Sequence, residues 1–457
     1  MPAVLRHDGG MTETTTTKPT KKSSSVRHTR AIQRDRSKRR LAAPPDEQIS
    51  KRLSEIVHPA TLAQVAYYHD LGLRERVLNL PVMVALVLSM IWRQIAGVSD
   101  LVRLLREEGL LWATPQQVSQ QAVSERLRTL PAELFLRLLL AILPQLQERW
   151  QARQRPLPPE IAWAQRHYRQ VLIHDGSTLD ALLRKVGLLR EADTQPLAGR
   201  MTALLDLASR LPRHVWYEED AQAHDQRCWP QLLAVLTAGS LVIFDLGYTN
   251  FTVFAQLAAA QVTWLTRAKS NLAYVVARDL QRTAAVHEAL VWIGQGDERQ
   301  LVRLISVLYH GTWYRYLTNE LDTARLPAPY AVALYWQRWR IEDAYAIVKR
   351  LLGLAYFWVG AQNGVALQLW ATWLLYAILV DLTDAVAEAL NRPFAAISLE
   401  MVYRSLYFFT QAYHRGEATD PVAYLAHNAD WLGILKRTHP RPPSPLTLCN
   451  LTNASDP

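Results

Sequence analysis

The chain has 457 residues, 49% hydrophobic and 20% charged, which is too long for one ordinary core and too apolar for a disordered polyelectrolyte, so two or three packed domains are expected. Its formal net charge of +10 points to a polyanionic partner. With two cysteines, Cys228 and Cys449, a disulfide scaffold and a cysteine-based zinc module are both excluded.

The charge is uneven. Residues 1–52 hold 13 Lys and Arg against 5 Asp and Glu, a net +8. That stretch is rich in Thr and Ser and nearly free of large apolar side chains, which predicts a disordered basic tail over 1–46. It reads either as an arm for a polyanion or as a leader without function, since Met11 offers a second start. There is no recognisable signal peptide. The apolar runs near 80–98 and 367–382 are broken by Arg93 and Gln368 or are too short for a bilayer. The expectation is a reduced, cytoplasmic protein with no membrane contact.

From about Glu47 to Trp163 the apolar pattern is helical throughout. Within it, TPQQVSQQAVSERLRTLP predicts a polar helix after a Thr-Pro start, with Gln120, Gln121, Ser124 and Arg126 facing outward. Such a helix suits the second member of a DNA-binding helix-turn-helix, or is an ordinary solvated helix. Pro156, Pro158 and Pro159 then mark a linker.

Beyond the linker the period changes and the fold class becomes α/β. RQVLIHDGSTLD predicts a short buried strand that ends at Asp175 and gives way to a Gly-Ser turn. GRMTALLDLAS and LPRHVWYEED predict a hairpin, followed by a helix over roughly 222–238. LVIFDLGYTN predicts another buried strand, ending at Asp245 with Gly247 behind it. Two strands thus deliver an aspartate at their C-terminal ends, where open α/β sheets expose ligand groups. Between Asp245 and Glu342 lie QVTWLTRAK, LAYVVARDL, AVHEALVWIG and RQLVRLISVLYHGTWYRYLTNEL, mostly antiparallel strand patterns. After Lys349 the chain reads as helical again and closes in a Pro-rich tail from about His439.

The stretch from Tyr335 to Lys349, YWQRWRIEDAYAIVK, is the most informative. At roughly 100° per helical residue, Tyr335, Arg338, Glu342 and Lys349 fall at about 0°, 300°, 340° and 320°, inside one narrow arc. Ile341, Ala344, Ile347, Val348 and Leu351 take the opposite side. One such helix alone is commonly a solvated face with charge pairs one turn apart. Set beside Asp175 and Asp245, Glu342 completes three carboxylates able to bind two divalent ions about 3.5–4 Å apart, and oxygen-only ligands favour Mg²⁺ or Mn²⁺ over zinc. His174, His214 and His224 show no metal spacing, so core or surface roles are expected for them.

The turn at Asp175, the FDLGY turn at Asp245 and the Tyr335, Arg338, Glu342, Lys349 series together resemble the DDE transposases of bacterial insertion sequences. The narrower resemblance is to insertion-sequence family four, the group with the Tyr-Arg-Glu-Lys signature. WLTRAKSN and YRYLTNE also resemble that family's insertion strands, and the likeness runs from about 120 to 375. It implies an RNase H-like catalytic core interrupted by a β-strand insertion, with helical N- and C-terminal regions. The expected organisation is a disordered tail over 1–46, a helical DNA-binding region over 47–163 and the first part of the core over 164–250. The β insertion would occupy 251–328, the second part of the core with the Glu342 helix 329–360, and a helical C-terminal region with its tail 361–457. The resemblance makes Asp175, Asp245 and Glu342 the metal-binding catalytic residues, and Tyr335, Arg338 and Lys349 contacts to DNA phosphates. It also implies two Mg²⁺ or Mn²⁺ ions per site, terminal inverted repeats and target DNA as partners, and a homodimer in the synaptic complex. Where the family cuts through a hairpin, a tryptophan on an insertion strand stacks a flipped base; Trp313 and Tyr314 are the candidates here, Trp313 by ring size and Tyr314 by alignment on Leu317 and Thr318. The alternatives are a stand-alone RNase H-like nuclease and a DNA-binding repressor that kept the fold without catalysis.

Overall fold

The computed structural model describes residues 47–74, 76–95, 97–180, 197–309, 311–354 and 356–436. The basic tail expected over 1–46, the Pro-rich tail from His439 and Cys449 lie outside the described residues.

Among the described residues seven helices come first: α1 (Glu47–Ala63), α2 (Val65–Asp70), α3 (Leu80–Trp92), α4 (Val98–Glu107), α5 (Gln120–Thr129), α6 (Glu133–Ala152) and α7 (Pro159–His167). Local chemistry starts two of them. The Asn79 side chain accepts from the Val82 amide at 3.1 Å with Pro81 in the first turn of α3, and Ser119 does the same for the Ala122 amide at α5. The polar helix α5 departs from expectation. Gln120 and Gln121 are exposed, but Ser124 is half-buried and Arg126 turns inward, donating to the Leu78 carbonyl at 3.3 Å and to the Tyr68 hydroxyl. Arg126 follows the buried Val123 by three residues, so its stem lies along the packed face and only its tip seeks oxygen.

A nine-stranded sheet follows: β1 (Gln170–Asp180), β2 (Leu197–Asp206), β3 (Pro212–Glu218), β4 (Ser240–Phe244), β5 (Thr263–Arg267), β6 (Val275–Arg282), β7 (Val286–Ile293), β8 (Gln300–Tyr309) and β9 (Thr312–Thr318). Its order is β3-β2-β1-β4-β5-β9-β8-β7-β6. The β1–β4 and β4–β5 pairs are parallel and every other pair is antiparallel. Instead of one helix over 222–238, the chain makes a tight turn at Asp225–Cys228 and then α8 (Trp229–Val235), while α9 (Phe251–Ala259) connects β4 to β5.

Strand alternation divides the interior in two. Val171, Ile173, Leu241, Ile243 and Leu265 face the large core formed with the helices. Their neighbours Leu172, Val242, Phe244 and Trp264 face a smaller core under α8 and α9. Buried on both faces, β1 and β4 read as continuous apolar runs.

After β9 come α10 (Ala328–Trp336), α11 (Arg340–Ala346), α12 (Gln362–Ala389), α13 (Leu399–His414) and α14 (Pro421–His427). The run expected to be too short for a bilayer is part of α12, a helix of 28 residues that is long and apolar enough to cross one. Its apolar window is 94% buried inside the protein, which is the environment of a core helix. Its polar positions are neutralised there: Asp381 meets Arg52 at 2.9 Å, Arg153 at 2.6 Å and Arg149 at 3.5 Å. Asp384 meets Arg155 at 2.5 Å and Arg153 at 3.1 Å. These pairs tie α1, α6 and the segment after it to the central helix.

Removing one side of such a network strands a buried charge. Asp384→Ala, which leaves the buried Arg155 without its carboxylate, is expected to cost about 3 kcal/mol or more in chemical denaturation. A midpoint equal to that of the unmodified protein would show that the network contributes no cohesion.

Candidate active site

The site begins where a ladder stops. β1 and β4 pair in parallel from Gln170 with Ser240 to His174 with Phe244. The next residues are Asp175 and Asp245, which places the two aspartates side by side at the C-terminal edge of the parallel strands. No Gly-Ser turn follows Asp175. β1 outruns β4 and continues to Asp180 in antiparallel register with β2, Asp175 opposite Ala203 and Gly176 opposite Thr202. The backbone groups that lose β4 are taken up by β2, so the strand has no need to turn. The Asp175 carboxylate also accepts from the Gly176 amide at 2.8 Å.

Tyr335, Arg338, Glu342 and Lys349 do not sit on one continuous helix. Tyr335 ends α10; a 3₁₀ turn over Gln337–Trp339 carries Arg338; Glu342 is in the first turn of α11; and Lys349 lies in a π turn over Ile347–Leu351. Tightening at the first break and widening at the second shift the phase locally, yet the four side chains still converge on one place. The Tyr335 hydroxyl donates to Asp245 Oδ1 at 3.1 Å. One nitrogen of Arg338 lies 2.5 Å from Asp175 Oδ2 and the other 3.6 Å from Glu342 Oε1. Lys349 Nζ donates to Ser177 Oγ at 2.7 Å and to the Thr178 carbonyl, beyond Asp175 on β1. Ile341, Ala344, Val348 and Leu351 are buried behind them.

Charge is the limiting quantity here. Burial pushes the Asp175 carboxyl up to about 6, with the charges of Asp245 and Glu342 adding to the rise and Arg338 opposing it. Burial raises Glu342 as well, with Arg338 pulling the other way and Asp245 and Asp343 adding to the rise. Three carboxylates therefore share one field with Arg338 wedged between two of them. Among the described residues no group of three His, Cys, Asp or Glu is closed around a metal position as it stands. The donor set nevertheless suits a hard cation: all oxygens, no competing imidazole, and a guanidinium already bridging two of the carboxylates where positive charge is required. The histidines lie apart from it. His174 is buried 3.2 Å from Cys228 Sγ, His214 stacks on Trp216, and His224 caps the turn at Asp225.

Three further side chains belong to the site and were not singled out from the sequence. The buried Tyr345 hydroxyl donates to the Asp175 carbonyl at 2.6 Å and accepts from the Ala203 amide at 3.2 Å, pinning α11 onto β1 and β2. Its signal was available: a tyrosine three residues after Glu342, on the helix that must dock on the Asp175 strand. Arg267 ends β5 beside Asp245 and lies over the Tyr314 ring at 5.2 Å. Trp339 is 59% exposed, its ring 5.2 Å from the Arg338 guanidinium.

Trp313 and Tyr314 fall on opposite faces of β9, as alternation requires. Tyr314 shares a face with Tyr316, which packs on Tyr335 at 5.1 Å. Trp313, 42% exposed, points the other way and packs tilted against His287, ring centroids 4.9 Å apart. Ring size favoured Trp313; the geometry brings Tyr314, not Trp313, to the side of Asp245.

Residues 169–378 match the family model described as a transposase DDE domain. Putative transposase y4zB of Sinorhizobium fredii (strain NBRC 101917 / NGR234) is 28% identical over 246 residues, covering 47% of this chain. That match spans 65% of the relative's own length, slightly under two thirds. A cryo-EM structure of the piggyBac transposase synaptic complex with hairpin DNA covers 92% of both chains at 12% identity, with a TM-score of 0.36, too low to carry an argument about fold. The family model and the relative support a DDE transposase, and the residues that match the family model take in Asp175, Asp245, Tyr335, Arg338, Glu342 and Lys349.

Proposed function

We propose that this chain is a cut-and-paste DNA transposase of insertion-sequence family four, which binds the terminal inverted repeats of its element, cleaves the ends and joins the 3′-hydroxyls to target DNA. The observation that carries it is the meeting of two strand-end aspartates with a helix-borne glutamate, with one arginine paired to Asp175 and Glu342 and within the field of Asp245. The strand order β3-β2-β1-β4-β5, antiparallel through β1 and parallel beyond it, supports an RNase H-like core that takes in β5, so that the insertion expected over 251–328 would begin only after it and comprise β6–β9. Action as a homodimer on bacterial chromosomal DNA belongs to the same reading.

In this mechanism Asp175, Asp245 and Glu342 would hold Mg²⁺ or Mn²⁺, which supplies an activated water or 3′-hydroxyl and charge stabilisation on the leaving oxygen. Arg338 holds the carboxylates together in the free protein and turns to phosphate once DNA brings its own negative charge. Tyr335 orients Asp245 through its hydroxyl, and Tyr345 fixes the Asp175 backbone. Lys349 anchors the distal half of β1 and offers a second cation to the DNA backbone.

Asp175→Ala, Asp245→Ala and Glu342→Ala are each expected to abolish Mg²⁺-dependent nicking of end DNA and to leave gel-shift affinity largely intact, because affinity comes mainly from Lys and Arg on phosphates. Normal nicking by any one of them removes that residue from the catalytic set. Arg338→Ala and Lys349→Ala should instead weaken binding and lower its salt dependence, by about one unit of slope per lost contact. An unchanged slope in both would confine them to holding β1 and the carboxylates in place. On an end that passes through a hairpin, Tyr314→Ala is expected to lose hairpin formation while still nicking, since base stacking is worth roughly 1–3 kcal/mol. Trp313→Ala should form hairpins normally. The opposite pattern would put the stacking ring on the other face of β9.

A further inference from the structure

The turn between β3 and α8, Asp225–Cys228, takes no part in the proposed chemistry, yet it touches the residues flanking both strand-end aspartates. On the Asp175 side, Asp225 is ion-paired with Arg200 of β2. Arg200 in turn covers Gly176, where a Cβ would lie 2.5 Å from the guanidinium. Cys228 Sγ lies 3.2 Å from Nε2 of His174, the residue before Asp175. On the Asp245 side, Asp225 Oδ2 would lie 3.0 Å from a Cβ at Gly247. Gln226 Nε2 donates to the Thr249 carbonyl at 2.9 Å, and Asn250 Nδ2 donates to Gln226 Oε1 at 3.3 Å.

Gly176 and Gly247 thus act as recesses, one behind each aspartate, and the two halves of a single ion pair fill them. The guanidinium is held from a third direction by the Ala223 carbonyl at 3.2 Å. The last β1–β4 pair is His174 with Phe244, so the parallel ladder reaches the two aspartates but does not continue past them. Their charges repel, and a link outside the ladder steadies the two ends against that repulsion.

We propose that the Asp225–Cys228 turn, through the Arg200–Asp225 pair, is a positioning bracket that fixes Asp175 and Asp245 relative to one another for a divalent cation. The proposal rests on the assignment of those aspartates as metal ligands. Arg200 and Asp225 act through the strand ends and touch no reacting atom. Outer partners that orient ligating groups commonly govern about 10–100-fold in metal affinity.

The test uses the full chain and Mn²⁺ alone, with binding read from the depletion of the free-ion signal in electron paramagnetic resonance and folding from thermal unfolding. Arg200→Ala and Asp225→Ala should each weaken Mn²⁺ binding about tenfold without loss of gel-shift affinity for end DNA. The double variant should lose no more than the worse single one, because both remove the same link. Wild-type Mn²⁺ affinity in the single variants, with Asp175→Ala binding no ion, would overturn the bracket and leave the ligand assignment standing. Additive losses in the double variant would overturn it too. Full Mn²⁺ binding by Asp175→Ala would sink the ligand assignment itself, and the bracket with it. Should either alanine variant fail to fold, Arg200→Lys decides: it keeps the charge but not the fork over Gly176, so weaker Mn²⁺ binding is expected and wild-type affinity contradicts the proposal.

Discussion

Like-charge repulsion among Asp175, Asp245 and Glu342 is the constraint around which this molecule is arranged. Water would screen them, but Asp175 is largely buried, and burial already lifts its carboxyl to about 6. The free protein answers with Arg338, a planar cation whose two nitrogens reach two of the three groups. The arrangement is stable enough to fold and electrostatically unfinished enough to accept further positive charge. A surface charge cluster would show neither the depth nor the convergence of tyrosine, arginine and lysine from a helix interrupted twice.

The rest of the fold supports that convergence. The parallel β1–β4–β5 segment sets the aspartates at one edge, and Tyr345 docks α11 onto β1 and β2 so that Glu342 cannot drift. Behind α11 runs α12, whose burial gives the site a rigid back wall and whose two aspartates bind the N-terminal helices to it. Helices far apart in sequence are thereby held to the same core as the site.

Much of this was legible in the residues. VLIHD and LVIFD are short apolar runs ending in an acid, and buried parallel strands have little choice but to look like that. The spacing of Tyr335, Arg338, Glu342 and Lys349 marked one face correctly, even though the helix carrying it is broken. Periodicity averages over a 3₁₀ and a π turn that nearly compensate, so neither break is visible in the pattern. The Gly-Ser turn after Asp175 failed for a different reason: Gly and Ser signal a turn only when no neighbouring strand claims their backbone, and β2 does. Arg126 was misplaced because a polar composition says nothing about where a long side chain ends. Likewise, ring size ranked Trp313 above Tyr314, whereas the parity of β9 relative to Tyr316 decides which one faces Asp245. The Arg200–Asp225 contact joins two segments that no local pattern connects.

The central claim is that Asp175, Asp245 and Glu342 together form a divalent-cation site. Iron-directed cleavage of the polypeptide tests it most directly: Fe²⁺ replaces Mg²⁺ on the full chain, and hydroxyl radicals made at the bound ion cut the backbone around it. The expected result is three sets of fragments, from cuts near 175, 245 and 342, suppressed together by excess Mg²⁺ and by alanine at any one of the three positions. Cuts confined to one of these segments, or clustered elsewhere in the chain, would contradict a shared site.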